Sequence, residues 1–359
     1  MTLKLFTMGD RVPDFSLPNQ EGRLGSFYDR FQGDPVVLCF CPDRAASEKA
    51  GFFAEIFTAL HDLVQAGATP VLITRLDHGE NARIAQAHGY RGTLFSDPAG
   101  AITEGFGVVS KTDPIGSPHS LLLDANQRVL GSTDVNGLQS PLSSQVPDWL
   151  ARLGRLAGAP SPTITAQAPV LLIPRVLEPS FCEEVIEAWR QDHGEGEVRR
   201  RAATGGATRA VDFTMKKRLD HRPNESLNHR LAQKVIGRIS PEVFRAFQFG
   251  TNIIEHFCIG AYDAQRGDYF RPHRDNTTPQ TAPRRFAVTL NLNGNYDGGA
   301  LRFPEFGRHL YTAPAGGAIV FSCSLMHEAT PVTRGRRFVA LTFLVDQAAA
   351  QQRMAPPRR

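Results

Sequence analysis

The first 155 residues alternate short apolar runs with longer stretches in which apolar side chains recur at helical spacing. The runs "DPVVLCFC" and "TPVLITRL" predict two buried strands, and "SEKAGFFAEIFTALHDLVQAG" and "GENARIAQAHG" predict the helices that follow them. "SLLLDANQRVLG" predicts a hairpin that turns at Ala-Asn-Gln. Strands that alternate with helices are typical of an α/β layer fold around a central sheet.

A break in this pattern separates two predicted domains. The segment "AGAPSPTITAQAP" (157–169) is rich in Ala, Pro, Ser and Thr, as interdomain linkers are. We therefore predict a first domain over 1–155, a linker over 156–167, a second domain over 168–347 and a flexible basic tail over 348–359.

The second domain begins with helical patterns and then changes to a period of two. "EPSFCEEVIEAWRQ", "NESLNHRLAQKVIGRI" and "SPEVFRAFQF" predict three helices, with Asn224 or Ser226, and then Ser240, as N-caps. From about residue 251, "RFAVTLNLN", "GGALRFPEF", "GGAIVFSCS" and "RRFVALTFLV" predict short strands separated by Gly, Pro, Asn and Asp. Many short strands of this kind are typical of a double-sheet jelly roll or a barrel.

Composition narrows the class of protein without naming a function. Of 359 residues, 41% are hydrophobic and 21% are charged, as in ordinary soluble proteins, and the net charge of +4 predicts neither nucleic acid nor membrane as a partner. We expect no signal peptide and no membrane span, since no apolar run approaches roughly 18 residues. Five cysteines without a CxxC motif are too sparse for a disulfide framework, so we expect free thiols and a cytoplasmic location.

The octet "YFRPHRDN" contains the triplet His273-x-Asp275, whose side chains would leave an extended chain on the same face. An imidazole and a carboxylate would then converge on one point, which suits a divalent metal. The triplet alone is weak, because two other His-x-acid triplets begin at His78 and His193.

His327 is the third candidate ligand, because a jelly roll can bring strands about 50 residues apart against one another. Two His and one carboxylate on one face of a metal leave other positions open, as in non-haem Fe(II) oxygenases. Zinc is the alternative, but with these ligands it keeps one open position and needs no organic acid nearby.

Arg337 lies ten residues after His327, inside the apolar run "RRFVALTFLV". A guanidinium in such a strand must be paired, because burying it alone is costly. The carboxylate of a bound ligand would pair with it bidentately. The alternative partner is an Asp or Glu across the sheet.

Residues 168–347 resemble the prolyl-4-hydroxylase-like branch of the 2-oxoglutarate- and Fe(II)-dependent dioxygenases. The matching elements are Tyr262, Tyr269, His273-x-Asp275, "NLNGNYDGGALRFPEFG", "YTAPAGGAIVFS", and "HEATPVTRGRR" with its spacing from His327 to Arg337. Two of them have a local physical reason. The Gly298-Gly299 pair permits a tight turn or bulge, and the segment 314–317 turns the chain before a buried strand.

The resemblance implies that His273, Asp275 and His327 hold Fe(II) and that Arg337 pairs with the far carboxylate of 2-oxoglutarate. It also implies O2 as cosubstrate and ascorbate as a reductant. The implied reaction hydroxylates a C–H bond of an amino acid, a peptidyl or protein side chain or a small metabolite, and releases succinate and CO2. Related halogenases lack the carboxylate ligand, so Asp275 indicates hydroxylation.

Two further positions match residues near the cosubstrate. These are Tyr262 and Thr289, although both residue types are also ordinary in strands. The chain departs from the family at Asn291, where an aromatic residue is common. The spacing from Tyr269 to His273 is also one residue longer than in many members.

Residues 8 to about 135 resemble the peroxiredoxin family, which has a thioredoxin fold, in "GDRVPDFSLPNQEG", "DPVVLCFCPDRAASEKAGFFAE" and "HSLLLDANQRVLG". In that family a Thr and the peroxide-attacking Cys follow a strand-ending Pro by four and seven residues. Counting from Pro42 gives Ala46 and Lys49, and a lysine cannot be the thiolate nucleophile. We interpret Cys39 and Cys41, at alternating positions of the preceding strand, as core residues.

We therefore expect a peroxiredoxin-like domain that does not reduce peroxide. Its expected roles are dimerisation, partner docking or substrate delivery, with a homodimer formed through this domain. Two other interpretations of the chain stay open. A thiol-redox or peroxide-handling protein with an accessory barrel is disfavoured by Lys49, and a non-catalytic interaction protein is disfavoured by the intact set of candidate ligands.

Positive charge concentrates within 197–222, in "EVRRRAATGGATRAV" and "MKKRLDHR". A solvated face is the default interpretation. The alternative is a Gly-containing lid that covers the active site and pairs with an acidic group of a small-molecule or peptide substrate. Aromatic residues do not interleave with the basic ones, so nucleic-acid binding is not expected.

Overall fold

The computed structural model describes residues 5–42, 52–109, 118–133, 142–154, 164–201, 207–250 and 253–346. The chain divides into two compact units, Met1–Pro162 and Thr163–Arg359. Most of the predicted linker and the whole predicted basic tail lie outside the described residues. No helix among the described residues is long and apolar enough to cross a bilayer.

The first unit contains seven strands and five helices in its described part. They are β1 Ser16–Pro18, β2 Leu24–Ser26, α1 Phe27–Phe31, β3 Val36–Cys41, α2 Phe52–Gln65, β4 Thr69–Thr74, α3 His78–His88, β5 Thr93–Ser96, α4 Ala101–Gly105, β6 His119–Leu123, β7 Val129–Ser132 and α5 Leu142–Gly154. The predicted strands, helices and hairpin are present in the described part, and residues 47–51 of the first predicted helix lie outside the described residues.

The main sheet of this unit has the strand order β5-β4-β3-β6-β7. Strands β3, β4 and β5 are parallel to one another. Strand β6 is antiparallel to β3, and β7 is antiparallel to β6. Every residue of β3 is buried, because its alternate side chains join two different cores. A mixed sheet packed on both faces confirms the predicted thioredoxin-like fold.

Helix α3 shows how local chemistry determines an element's ends. The Asp77 side chain accepts a hydrogen bond from the Glu80 backbone N–H (2.8 Å), and Glu80 accepts one from the Asp77 N–H (2.9 Å). This reciprocal capping starts the helix one residue before the predicted position. Gly89 ends it with φ +60°.

The second unit contains sixteen strands, three α-helices and one 3-10 turn in its described part. They are β8 Val170–Ile173, α6 Pro179–Gln191, β9 Gly194–Glu195, β10 Glu197–Arg201, β11 Ala207–Val211, β12 Lys216–Lys217, β13 Leu219–His221, α7 Glu225–Arg238, α8 Ser240–Phe247, β14 Cys258–Asp263, β15 Tyr269–His273, β16 Arg284–Asn291, β17 Asp297–Gly298, β18 Leu301–Arg302, the 3-10 turn Pro304–Phe306, β19 Leu310–Tyr311, β20 Ala318–Ser322, β21 His327–Ala329, β22 Val332–Arg334 and β23 Arg336–Val345.

Two antiparallel sheets form the centre of this unit. The larger has the order β8-β20-β16-β23-β14-β13-β9 and the smaller β12-β15-β21-β18-β19. Helices α6, α7 and α8 pack on one face of the larger sheet. Its other face packs towards the smaller sheet. This arrangement confirms the predicted jelly roll.

The period of two distributes the β23 side chains between these faces. Phe338 and Ala340 join the core formed with the helices. Arg337, Val339 and Leu341 line a cavity on the opposite face. Successive residues of β23 therefore point alternately to the helical core and to the space between the two sheets.

The N-cap predictions have mixed outcomes. Asn224 caps α7, because its side chain accepts a hydrogen bond from the Leu227 N–H (2.9 Å), so Ser226 is not the cap. The prediction of Ser240 is wrong. Ser240 is the first residue of α8, and Ile239 before it has the right-handed helical conformation, so no extended N-cap exists there.

Two glycines permit the predicted turns. Gly298 has φ +77°, and a Cβ there would lie 2.5 Å from the Pro331 carbonyl oxygen. The pairing of β17 with β22 shifts register at this point, as expected of a bulge. Gly316 has φ +76°, and a Cβ would lie 2.4 Å from the Leu177 carbonyl oxygen. Both turns bend the chain close to other backbone.

Candidate metal centre

Strand pairing brings the two candidate histidines together. His273 ends β15, His327 begins β21, and the two residues are paired directly across the antiparallel ladder. Asp275 lies two residues beyond β15, where its N–H donates to the Cys323 carbonyl (3.0 Å). Ligand atoms of these three side chains all lie within 4.8 Å of one another. No other group of three such side chains occurs in the described part of the chain, so the triplets at His78 and His193 form none.

Hydrogen bonds orient both imidazole rings. Nδ1 of His273 lies 2.8 Å from the Arg271 carbonyl oxygen, and Nδ1 of His327 lies 3.1 Å from that of Leu325. A carbonyl only accepts, so each Nδ1 must carry the proton. Each Nε2 then has a lone pair, and each lies near Asp275, at 3.6 Å for His273 and 3.4 Å for His327. Two Nε2 lone pairs and a carboxylate fit a divalent metal.

Aromatic packing and charge complete the ligand environment. The His273 ring stacks on Phe270 with centroids 3.6 Å apart, and the His327 ring contacts Phe321 at 4.6 Å. Burial alone would raise the pKa of the Asp275 carboxyl, but His327 and His273 beside it hold that pKa below its usual range. Burial lowers the pKa of His327 to about 4. An ionised carboxylate and a neutral imidazole are the forms that bind metals.

The three other predicted site residues line the same cavity, which has a volume of about 860 Å³. Arg337 and Tyr262 are paired directly across β23 and β14, with the guanidinium carbon 5.9 Å from the phenol ring centroid. Thr289 is buried on β16. All six predicted site residues therefore meet at one cavity.

Arg337 has no carboxylate partner among the described residues. It is buried, and its hydrogen bond runs from Nε to the Asn291 Oδ1 (3.2 Å). The same Oδ1 accepts from the Tyr296 hydroxyl (3.0 Å), while the Asn291 amide nitrogen donates to the Ala313 carbonyl (2.9 Å). The sequence shows Asn291 as a departure from the family. The structure shows a buried amide that orients Arg337, together with a tyrosine five residues further on.

Sequence reasoning missed a buried charged cluster on the cavity wall. Lys216 and Arg218 are 3% and 4% exposed, and both line the cavity together with Asp220. The default interpretation of the basic stretch as a solvated face is therefore wrong for these two cations. It failed because β12 pairs with β15 and β13 with β14, which buries them. The side chains of Arg199–Arg201, central to the lid alternative, lie outside the described residues.

The first unit shows buried thiols at the predicted core positions. Cys39 and Cys41 both join the core that includes α2 and α5. Burial raises the pKa of Cys39 to about 12 and holds the pKa of Cys41 well above its ordinary value. Such thiols are protonated at neutral pH and are poor nucleophiles. Ala46 and Lys49 lie outside the described residues.

Comparison with known proteins finds a different family match in each unit. Residues 259–345 match the model of the 2OG-Fe(II) oxygenase superfamily, and residues 8–131 match that of the AhpC/TSA family. A PKHD-type hydroxylase from Nitrobacter winogradskyi is 28% identical over 200 residues, which cover 50% of this chain and 82% of the relative. One from Phenylobacterium zucineum is 38% identical over 87 residues, or 22% of this chain and 38% of the relative.

Solved structures resemble either unit at low identity. Peroxidoxin BcpB from Mycobacterium tuberculosis is 24% identical and covers 43% of this chain and 99% of its own, with a TM-score of 0.37. A Trichoplax adhaerens prolyl hydroxylase, in complex with a hypoxia inducible factor peptide fragment, is 16% identical. It covers 52% of this chain and 87% of its own, with a TM-score of 0.42.

The chain therefore has one region that matches the AhpC/TSA family and another that matches the 2OG-Fe(II) oxygenase superfamily, as the sequence predicts. Together with the hydroxylase relatives, the second match supports a 2-oxoglutarate-dependent hydroxylase. The match to that superfamily implies Fe(II) and 2-oxoglutarate, and the His-Asp-His group has suitable donors.

Proposed function

We propose that this chain is an Fe(II)- and 2-oxoglutarate-dependent dioxygenase that hydroxylates a C–H bond of an amino acid, a peptidyl side chain or a small metabolite. The reaction would release succinate and CO2. One observation carries the proposal. The His273, Asp275 and His327 group and the buried Arg337 line the same cavity.

In this proposal His273, Asp275 and His327 hold Fe(II), and the iron and 2-oxoglutarate supply the oxidising chemistry when bound. Asp275 neutralises one of the two positive charges of the metal. The hydrogen bonds at Nδ1 keep both Nε2 lone pairs directed to it. Zinc is less well supported, because it would leave the buried Arg337 without a function.

Arg337 would pair with the distal carboxylate of 2-oxoglutarate. The Asn291 oxygen holds its Nε, which leaves the terminal guanidinium N–H groups for an incoming carboxylate. Tyr262 and Thr289, from the two strands that flank β23, would bound the cosubstrate. Apolar side chains such as Phe321 and Val339 line the same cavity and would exclude water.

The first unit would have a non-peroxidatic role. The protonated, enclosed thiols of Cys39 and Cys41 support this proposal. Dimerisation, partner docking and substrate delivery are the roles we propose for it. Light scattering on the full chain tests the first of these, and a monomer at micromolar concentration contradicts a homodimer.

The test of the enzymatic proposal measures succinate formed from 2-oxoglutarate by the full chain with Fe(II) and ascorbate. We expect iron-dependent succinate formation even without substrate, and binding of one Co(II) per chain as an independent readout. Absence of both contradicts the proposal. A mass-spectrometric search of metabolite and peptide mixtures for products heavier by one oxygen atom then identifies the substrate.

A further inference from the structure

A buried cluster of two cations and one carboxylate lies on the cavity wall beside the candidate metal centre. Lys216 Nζ lies 2.9 Å from the Asp220 Oδ2, and Arg218 contacts the same carboxylate through Nε (2.5 Å) and Nη2 (3.0 Å). All three side chains line the cavity. We call Lys216, Arg218 and Asp220 the cationic cluster.

The other hydrogen-bond partners of the cluster are neutral. Lys216 Nζ donates to the Glu197 backbone carbonyl (2.6 Å). Arg218 donates to the Tyr262 hydroxyl (3.1 Å) and to the Cys258 sulfur (3.8 Å). Since two cations share one carboxylate, the cluster has a net charge of +1.

The remaining acidic side chains of the cavity do not neutralise this charge. Glu195 pairs with Arg266 (2.8 Å) and Glu255 with Arg284 (2.6 Å). Asp275 belongs to the candidate metal centre, and the Glu197 side chain is exposed and in no ion pair with Lys216 among the described residues. A buried positive charge without a counterion is unfavourable. Burial and the neighbouring Arg218 accordingly lower the pKa of Lys216.

The cluster is close to the candidate catalytic groups. Lys216 Nζ lies 5.6 Å and the Arg218 guanidinium carbon 6.0 Å from the centroid of the Phe270 ring, and the His273 ring stacks on the same ring at 3.6 Å. Arg218 contacts Tyr262, which is paired with Arg337. The Phe270 ring thus contacts both the cluster and the candidate ligand His273, and the Tyr262 ring contacts both Arg218 and Arg337.

We propose that the cationic cluster is the subsite for a carboxylate of the substrate, and that Lys216 and Arg218 select substrates with a free carboxylate. The proposal rests on the proposed function and names the substrate class. A net charge of +1 is balanced by a monoanion such as a carboxylate, whereas a phosphate dianion would overcompensate it. The carboxylate could belong to a small acid or to the C-terminus of a peptide.

The test compares benzoate with benzamide, which have the same shape and differ in charge. Both are titrated by calorimetry into the full chain saturated with Mn(II) and 2-oxoglutarate, so that the Arg337 site is occupied. We expect benzoate to bind at least about tenfold more tightly than benzamide. In Lys216→Met this preference should fall to within about twofold, while Lys216→Arg should retain it.

Two controls separate this effect from a change in folding or in overall charge. Lys217→Met removes the adjacent lysine, which donates to the Arg266 carbonyl outside the cluster, and should leave the preference unchanged. In Lys216→Met, the charges of Arg218 and Asp220 neutralise each other, so the midpoint temperature of thermal unfolding should stay close to that of the wild type. Equal binding of benzoate and benzamide by the wild type overturns the proposal, and so does an unchanged preference in Lys216→Met.

A second arm uses triglycine with a free or an amidated C-terminus. Preference for the free peptide assigns the carboxylate to a peptide C-terminus, and preference only for benzoate assigns it to a small acid. Failure of the enzymatic proposal has a separate signature. The wild type would form no iron-dependent succinate, whereas a benzoate preference that is lost in Lys216→Met requires no turnover.

Discussion

The first unit encloses its thiols in packed core, whereas the second turns its candidate ligands towards a cavity. Cys39 and Cys41 lie on a face of β3 that is covered by α2 and α5. His327 and Arg337 are equally buried, yet both line a space of about 860 Å³. Burial alone therefore does not separate structural groups from chemical ones. The difference is whether the buried group faces packed atoms or a space that can hold a ligand.

Hydrogen bonding shows the same difference between the units. The Cys39 sulfur accepts a hydrogen bond from the Ser120 hydroxyl (3.2 Å) inside the core. In the second unit, the Nδ1 atoms of His273 and His327 are engaged by backbone carbonyls, which leaves the Nε2 lone pairs directed at Asp275. The enclosed Cys39 thiol is therefore a poor nucleophile, whereas the two histidines each have a nitrogen available to bind a metal.

The largest expected effect comes from Asp275→Ala, which removes the anionic ligand. Succinate formation should fall at least about 100-fold, because losing a group that merely supports a metal ligand already costs about 10–100-fold. Co(II) absorbance measures the accompanying loss of metal binding. Asp297→Ala, at an exposed carboxylate paired with Arg334, is the control and should bind Co(II) normally. Unaltered Co(II) binding in Asp275→Ala would contradict the assignment.

The next effect in size is expected from Arg337→Met. The KM for 2-oxoglutarate should rise at least about 30-fold, since an unpaired carboxylate in a buried site costs roughly 2–5 kcal/mol. Co(II) binding should persist, because the metal ligands are intact. Arg334→Met removes an exposed arginine from β22, the strand that precedes β23 in the chain, and should leave the KM unchanged. A KM for Arg337→Met close to that of the wild type would refute the cosubstrate role.

A smaller effect is expected from Asn291→Ala, which removes the acceptor shared by Arg337 and Tyr296. The free energy of unfolding should fall by about 1–3 kcal/mol, because buried hydrogen-bonding groups lose their partner. The KM for 2-oxoglutarate should also rise, and more than kcat falls, since Arg337 is no longer oriented. Tyr296→Phe removes only one of these bonds and should change both quantities less. A stability loss without any change in KM would show that Asn291 is purely structural.

The smallest effect on turnover is expected from Cys39→Ala in the first unit. Succinate formation should be unchanged, because this thiol is enclosed in the core. Stability at alkaline pH should change instead. Burial raises the folded-state pKa of Cys39 to about 12 from an ordinary value of 9.0, so its contribution is complete below pH 9 and is lost as the pH rises towards 12. Between pH 9 and pH 12, the free energy of unfolding should fall less steeply with pH in Cys39→Ala than in the wild type. An equally steep fall in both proteins would contradict the prediction.

Much of the candidate site could be predicted from the sequence because several of its residues lie close together in the chain, within or next to one strand. His273 and Asp275 are two residues apart, and the apolar pattern around Arg337 indicates a buried strand whose alternate residues share a face. The Gly298-Gly299 pair marks the bulge before β18. These features depend on the backbone near each residue, so they can be recognised without knowing which strands pair.

Other parts of the site depend on which strands become neighbours. Asn291 holds Arg337 only because β16 lies next to β23. Lys216 is a cavity residue only because β12 is the edge strand beside β15. In the sequence, the basic stretch with Lys216 has the composition of a solvated face. Pairing between strands distant in the chain cannot be read from local periodicity.

The amino-acid sequence by itself determined the two fold classes, the absence of a cysteine at position 49 and the identity of the three candidate metal ligands with Arg337. These follow from periodicity, composition and short-range spacing. Only the tertiary structure decided that the ligand atoms lie within 4.8 Å of one another, that Asn291 orients Arg337, and that a net positive cluster faces the same cavity. The physical reason is that burial and charge balance are properties of packed neighbours, which the order of residues along the chain does not specify.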